Sequence, residues 1–157
     1  DRFYKYGVIY PPQSISKGLN TDLSKLPFAI EGNNEALTAE LLALMQALSS
    51  AAFACNTTQR LSLHVAAVFA NNFSNALYQI SYELLQAHEL PFDLLKPIIL
   101  ETALKVQAHE PATVQPGPAK RKDQKTIQTH LNFLSQNQPW LEIYQQLTQE
   151  ITNKNKD

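Results

Sequence analysis

The sequence predicts a mainly α protein in which a short α/β segment precedes a run of helices. Residues 60–90 contain neither glycine nor proline, so at about 1.5 Å per residue they would form one helix about 45 Å long. Residues 1–56 carry short β-prone runs around a single helical pattern, whereas the later segments have helical spacing or helix-starting signals. These two observations predict the class and place a boundary between residues 56 and 57.

The first segment has the order strand, strand, helix, strand. Residues 7–10 and 28–31 are β-prone runs that end at turn-forming proline or glycine residues. Residues 35–49 have leucines at helical spacing, and residues 51–55 are short and apolar enough to form a third strand. This order indicates part of an α/β layer, whose sheet needs more chain or a partner to be complete.

Capping signals delimit the helices of the second segment. Asn56 followed by Gln59 resembles a capping box for the long helix. Asp93 and Asp123 are N-cap candidates for the next two helices, and Pro139 suits the first turn of the last one. Apolar spacing predicts a buried face on each of these helices. In the helix after Asp93 this face comprises Leu95, Ile98, Ile99, Thr102, Ala103 and Val106.

The first half of the long helix is apolar on nearly every side, and a helix with that pattern is normally a buried one. The remaining helices are too few to cover it within one subunit. We therefore expect a homodimer whose interface is built mainly from residues 60–108.

The composition excludes several classes of protein. With 13 basic and 14 acidic residues the net charge is −1, so no broad electrostatic attraction to nucleic acid is expected. The single cysteine, Cys55, excludes an internal disulfide framework and suits a reducing cytoplasm, where we expect the protein. No apolar run approaches the roughly 20 residues of a membrane span, and the histidines lack the paired spacing of a zinc site. Neither a membrane partner nor a metal is therefore expected.

A polar stripe interrupts the apolar half of the long helix. At about 100° per residue, His64, Asn71 and Asn75 fall within roughly 20° of one line. A buried polar stripe is costly unless its groups are hydrogen-bonded. These side chains therefore either face a substrate, with the imidazole transferring a proton and the carboxamides orienting the reactant, or form a structural network or a dimer seam.

Cations gather in a loop just before a predicted helix start. The loop contains Lys120, Arg121 and Lys122, the helix adds Lys125, and His130 follows on the same helix. An anion could bind where such cations meet the beginning of a helix. Lys120, Arg121 and His130 are therefore candidate substrate- or anion-binding residues. The alternative is a solvated basic loop.

Four motifs occur in a fixed order along the chain. They are residues 10–16 (YPPQSIS), residues 27–32 (PFAIEG), residues 63–73 (LHVAAVFANNF), and Gly117-Pro118-Ala119 followed by Arg121, Asp123 and His130. Together they resemble a family of Rossmann-like proteins with a helical C-terminal domain of unknown function (the 2520 type). That family is related to the NADP-dependent ketopantoate, pyrroline-carboxylate and deazaflavin-dependent reductases. The sequence departs from it at Pro116, where the family often has threonine before Gly-Pro.

The resemblance implies a specific architecture. Residues 1–56 would be the last strands and helix of a Rossmann-like nucleotide-binding domain whose N-terminal part is absent. Residues 57–157 would be an all-helical substrate and dimerisation domain of the 6-phosphogluconate-dehydrogenase-like type. Since the chain also lacks a phosphate-binding glycine turn, it is not expected to bind a dinucleotide alone.

The resemblance also implies an NAD(P)-dependent oxidoreductase with NADP or NAD as its cofactor. His64 would be the proton donor, with Asn71 and Asn75 as the orienting groups. Gln13 and Ser14 would form the cofactor-side wall of the cleft. The alternative is a non-catalytic helical dimerisation or ligand-binding module that has kept the architecture of a reductase.

Overall fold

The computed structural model describes residues 3–14 and 21–154. The chain divides into two compact units, Asp1–Tyr78 and Gln79–Asp157. Helices predominate among the described residues, and a three-stranded sheet lies in the first unit, so the prediction of a mainly α protein is confirmed. The assignment of residues 1–56 and 57–157 to two domains stays a prediction. Ile15 and Ser16 of the first motif lie outside the described residues.

The sheet of the first unit contains the strands β1 (Gly7–Tyr10), β2 (Phe28–Gly32) and β3 (Ala52–Ala54) in that spatial order. β1 pairs antiparallel with β2, whereas β2 and β3 are parallel. Helix α1 (Glu35–Gln46) provides the crossover connection that a parallel pair requires. The three predicted strands are therefore confirmed, as is the helix between the second and third, although α1 ends before the predicted residue 49.

The core of the first unit lies between α1 and the sheet. It comprises Leu26, Phe28, Ile30, Met45 and Ala52. A 3₁₀ turn (Leu23–Lys25) leads the chain into this layer. Ser49, just after α1, is buried as well, and its hydroxyl donates to the carbonyl oxygen of Leu26 at 2.6 Å. Because the same hydroxyl accepts from the backbone N–H of Ala51 at 3.1 Å, this buried polar group is satisfied.

The predicted long helix runs from residue 57 to residue 86, but it is not regular throughout. Helix α2 (Thr57–Ala67) passes into a π-helical segment (Val68–Phe73), which passes into α3 (Ser74–Gln86). The capping box is confirmed, because the side chains of Asn56 and Gln59 each accept from the backbone N–H of the other residue.

Within the single chain this long helix is left largely uncovered, and its burial against a partner subunit stays a prediction. No residue of α2, the π segment or α3 is fully buried. The large side chains Leu61, Val65, Phe69 and Phe73 are exposed. The polar stripe of His64, Asn71 and Asn75 is exposed in the single chain as well. The physical reason is that an apolar pattern indicates which surface avoids water, but not which molecule covers it.

The second unit contains a 3₁₀ turn (Phe92–Leu95) followed by the helices α4 (Lys96–Ala108), α5 (Gln124–Leu134) and α6 (Gln138–Asn153). Asp123 caps α5, as predicted, by accepting from the backbone N–H of Thr126 at 3.1 Å. The predicted proline in the first turn of α6 is confirmed. The side chain of Asp123 satisfies an N–H group that has no partner within α5. Pro139 suits the first turn of α6 because it has no N–H group to leave unpaired there.

One prediction about α4 is wrong, and another is not met within the single chain. Asp93 lies within the 3₁₀ turn and forms an ion pair with Lys96 at 2.7 Å, and it does not cap α4. Of the face predicted to be buried, only Leu95 and Ile99 are half-buried, and the rest is exposed. Within the described chain α4 packs mainly against the preceding 3₁₀ turn, which is too short to cover a helical face.

No helix in the described part of the chain is both long enough and apolar enough to cross a membrane.

An ion pair connects the end of β2 to the start of α2. The guanidinium of Arg60 donates to the carboxylate of Glu31. That carboxylate also accepts from the backbone N–H of Thr57 at 2.9 Å and from its hydroxyl at 3.0 Å. Hydrogen bonding from Arg60 outweighs desolvation and, with the contribution of Thr57, holds the pKa of Glu31 below its ordinary value of 4.5.

We expect this ion pair to make stability depend on pH. Since the folded-state pKa of Glu31 is lowered, its contribution is fully present above the unfolded pKa and is lost as the pH falls through the folded pKa. Glu31→Gln should therefore lower the Tm at neutral pH, and the difference from the wild type should vanish in acid. Thermal melts followed by circular dichroism across this range measure the difference.

Glu40→Gln is the matched control, since its 3.6 Å ion pair with Lys5 is exposed and pairs of that kind contribute little. A Tm difference for Glu31→Gln that stays constant from neutral to acidic pH would contradict the assignment.

Candidate functional site

A groove in the first unit separates the end of β1 from the long helix. Its volume is about 530 Å³, which lies in the range of small-molecule sites. The lining comes from the segment after β1 and from α2 and the π segment, and comprises Tyr10, Pro12, Gln13, Ser14, His64, Ala67, Val68, Asn71 and Asn72. The structure therefore brings together four of the five residues predicted for catalysis and for the cofactor-side wall.

His64 is held in place at one ring nitrogen. Its Nδ1 atom lies 2.9 Å from the hydroxyl of Tyr10, and the two ring centroids are 5.9 Å apart at an interplanar angle of 69°. Among the described residues no hydrogen bond is made at Nε2. The contact with Tyr10 thus orients the imidazole and leaves Nε2 as the ring atom available to a ligand.

The π segment determines which asparagines reach the groove. A π-helix turns through a smaller angle per residue than an α-helix, because its hydrogen bonds join residues i and i+5. Residues after Val68 are therefore rotated backward around the helix axis relative to the angular positions that α-helical spacing predicts. Asn71 and Asn72 line the groove, whereas Asn75 does not. Single π turns within α-helices frequently occur at functional sites.

The described side chains that line the groove can form hydrogen bonds, and none of them is an acid, a lysine or an arginine. The carboxamides of Asn71 and Asn72 make no hydrogen bond to other described side chains or backbone groups. Gln13 lies on the wall of the groove opposite these asparagines. Its backbone N–H donates to the carbonyl oxygen of Pro11 at 2.8 Å. Among the described residues, no Lys, Arg, Asp or Glu lines the groove. The described lining suits amide and carbonyl groups, and it contains no cation that would hold a phosphate.

The candidate anion residues lie in the second unit and do not share one cavity. Lys120 lines a cavity of about 530 Å³ together with Glu110, Gln115, Glu150 and Lys154. Neither Arg121 nor His130 lines this cavity.

His130 is exposed, and its Nδ1 atom lies 2.8 Å from the hydroxyl of Tyr144. Hydrogen bonds from Thr126, with smaller contributions from the charges of Arg121 and His130, hold the pKa of Asp123 below its ordinary value. The anion-binding role of Lys120, Arg121 and His130 stays a prediction.

Two further residues of the groove, Tyr10 and Asn72, are not predicted from the sequence as site residues. Tyr10 has a signal that could have identified it, because it is the first residue of the motif at residues 10–16. Asn72 is adjacent to Asn71, but only the π segment gives both of them access to the groove. Among the described residues no group of three or more His, Cys, Asp or Glu side chains could hold a metal ion.

Comparisons with known proteins identify a family and two similar structures. A family profile described as Domain of unknown function (DUF2520) matches residues 26–151. The crystal structure of "putative NADP oxidoreductase BF3122" from Bacteroides fragilis is similar with a TM-score of 0.87 and 40% sequence identity, covering 97% of this chain and 59% of that one.

Protein TM1727 from Thermotoga maritima is similar with a TM-score of 0.81 and 18% identity, covering 95% of this chain and 61% of that one. At that identity the likeness shows the fold alone. The chain thus spans about three fifths of the length of both proteins. No curated protein matches the sequence.

Proposed function

This chain belongs to the family described as Domain of unknown function (DUF2520), and on that premise we propose that it forms the C-terminal portion of an NAD(P)-dependent oxidoreductase. The observation that carries the proposal is the groove, where His64 lies with the carboxamides of Asn71 and Asn72 and with Gln13 and Ser14. The name of the Bacteroides protein, "putative NADP oxidoreductase", supports the cofactor class.

The residues of the groove fit one end of such a cofactor. A bound nicotinamide supplies or accepts a hydride, which is the chemistry that the protein itself lacks. The uncharged side chains of Gln13 and Ser14 would hold the carboxamide of a nicotinamide through hydrogen bonds. The four glycines of the sequence do not have the spacing of a dinucleotide-binding motif. The phosphates would therefore bind to a preceding part of the longer protein.

The side chains of the groove supply proton transfer and orientation of the substrate. His64 exchanges a proton with the substrate at Nε2, because Nδ1 is occupied by Tyr10. Asn71 and Asn72 orient the reacting carbonyl or amino group through their carboxamides. Asn75 does not line the groove and has no part in this proposal.

The second half of the proposal concerns assembly. Leu61, Val65, Phe69 and Phe73 recur every fourth residue and are all exposed, so they form one apolar row along α2 and the π segment. We propose that residues 60–108 form a homodimer interface of a helical domain of the 6-phosphogluconate-dehydrogenase-like type. The same row favours the alternative function, a helical dimerisation or ligand-binding module without catalysis.

Cofactor binding distinguishes these two functions. Residues 1–157 alone are expected to show no measurable binding of NADPH, since they have no glycine turn for its phosphates. The longer protein is expected to bind NADPH, and Gln13→Ala should weaken that binding several-fold. Isothermal titration calorimetry measures all three affinities.

Gln146→Ala, an exposed glutamine of α6 far from the groove in sequence, is the matched control. Micromolar binding of NADPH to residues 1–157 would overturn the domain assignment. Absence of NADPH binding to the longer protein would contradict the oxidoreductase function. It would leave the alternative, a helical dimerisation or ligand-binding module without catalysis.

A further inference from the structure

Two histidines of this chain make the same contact with a tyrosine. His64 Nδ1 lies 2.9 Å from the hydroxyl of Tyr10, and His130 Nδ1 lies 2.8 Å from the hydroxyl of Tyr144. Both ring pairs are edge-on, with centroids 5.9 Å and 5.6 Å apart. Only the first pair lies in the groove, where Tyr10 and His64 both contribute to the lining.

The chemistry of the two groups decides which atom donates. A phenol hydroxyl is a good donor and a neutral imidazole nitrogen is a good acceptor, whereas the phenol oxygen is the poorer acceptor of the two. The hydroxyl of Tyr10 therefore donates to Nδ1, which places the imidazole proton on Nε2. A histidine in this tautomer presents a proton donor to the groove, because the second nitrogen has no described partner.

We propose that Tyr10 is a positioning residue that fixes His64 as an Nε2–H donor and replaces the proton that His64 gives away. This inference rests on the proposed oxidoreductase function. After hydride transfer to a carbonyl substrate, the Nε2–H bond breaks as an O–H bond forms on the substrate oxyanion. The phenolic O–H bond breaks as an N–H bond forms at Nδ1.

The charge of this relay balances. Imidazole stays neutral throughout, and the negative charge passes from the substrate oxyanion to the phenolate. The net transfer of a proton from the phenol to the substrate oxyanion is favourable. An ordinary phenol has a pKa of about 10, and an alkoxide is a far stronger base than a phenolate. Tyr10 is half-buried, so water can return the proton to the phenolate. The site thus acts as an acid toward a carbonyl compound that is being reduced.

The tautomer of His64 tests the inference in the 157-residue chain, without a cofactor. Two-bond ¹H–¹⁵N spectra of the neutral imidazoles should show a single Nε2–H tautomer for His64. In Tyr10→Phe the ring nitrogen shifts of His64 should move toward those of His109, whose ring makes no hydrogen bond among the described residues. Circular dichroism should show an unchanged fold, since β1 keeps an aromatic ring at this position.

Tyr144→Phe is the matched control, because it should move the ring nitrogen shifts of His130 and leave those of His64 in place. A proton on Nδ1 of His64 in the wild type would overturn the inference, as would ring nitrogen shifts that Tyr10→Phe does not change. These outcomes are distinguishable from failure of the proposed function, which absence of NADPH binding to the longer protein would show on its own.

Discussion

Replacing Ile30 with alanine is expected to lower the free energy of unfolding by about 2–5 kcal/mol. Ile30 lies at the centre of the middle strand with 0% of its surface exposed, within the cluster that packs against α1. Removing three carbons there forfeits their burial and leaves a cavity that the rigid sheet fills only in part. Urea denaturation followed by circular dichroism measures the loss.

Ile9→Ala provides a control of the same residue type. Ile9 pairs with Ile30 across β1 and β2, yet 42% of its surface is exposed. Its truncation should therefore cost far less than that of Ile30. Equal losses for the two variants would contradict the placement of the core around the middle strand at Ile30.

Phe69→Asp is expected to convert the proposed homodimer into a monomer. Phe69 is 65% exposed, and its ring meets that of Phe73 at a centroid distance of 5.1 Å, near the middle of the apolar row. A carboxylate at this position would have to leave water for an apolar interface, where it finds no partner, and such burial of a charge is prohibitive. Light scattering coupled to size-exclusion chromatography gives the mass of each species.

Phe133→Asp is the control for this experiment. Phe133 is 59% exposed, similar to Phe69, but it lies in α5, outside residues 60–108. The Phe133→Asp variant should remain a dimer. A wild-type protein that is monomeric at high concentration, or a Phe69→Asp variant that stays dimeric, would refute the interface.

Most of the local structure could be predicted from the sequence. The β-prone runs correspond to β1, β2 and β3, the capping box at Asn56 marks the start of α2, and Asp123 caps α5. Each of these features depends on residues within one turn or one short strand of each other. Such signals are readable because the interactions that satisfy them are made by neighbours in the chain.

The candidate site could be predicted in part. Gln13, Ser14, His64 and Asn71 line one groove, and the roles that the resemblance implies for them stay predictions. Tyr10 was missed because its contact with His64 joins residues that are distant in the sequence. The exchange of Asn75 for Asn72 follows from the π segment, which no spacing rule for α-helices contains.

The sequence by itself determined the order of the strands and helices along the chain, where most of the helices begin, and the presence of His64 and Asn71 in the groove. Only the tertiary structure decided which of those residues meet Tyr10 across the groove, and that the apolar row of α2 and most of the predicted face of α4 are exposed in the single chain. The physical reason is that local order follows from interactions between near neighbours, whereas burial depends on which distant surface arrives to exclude the water.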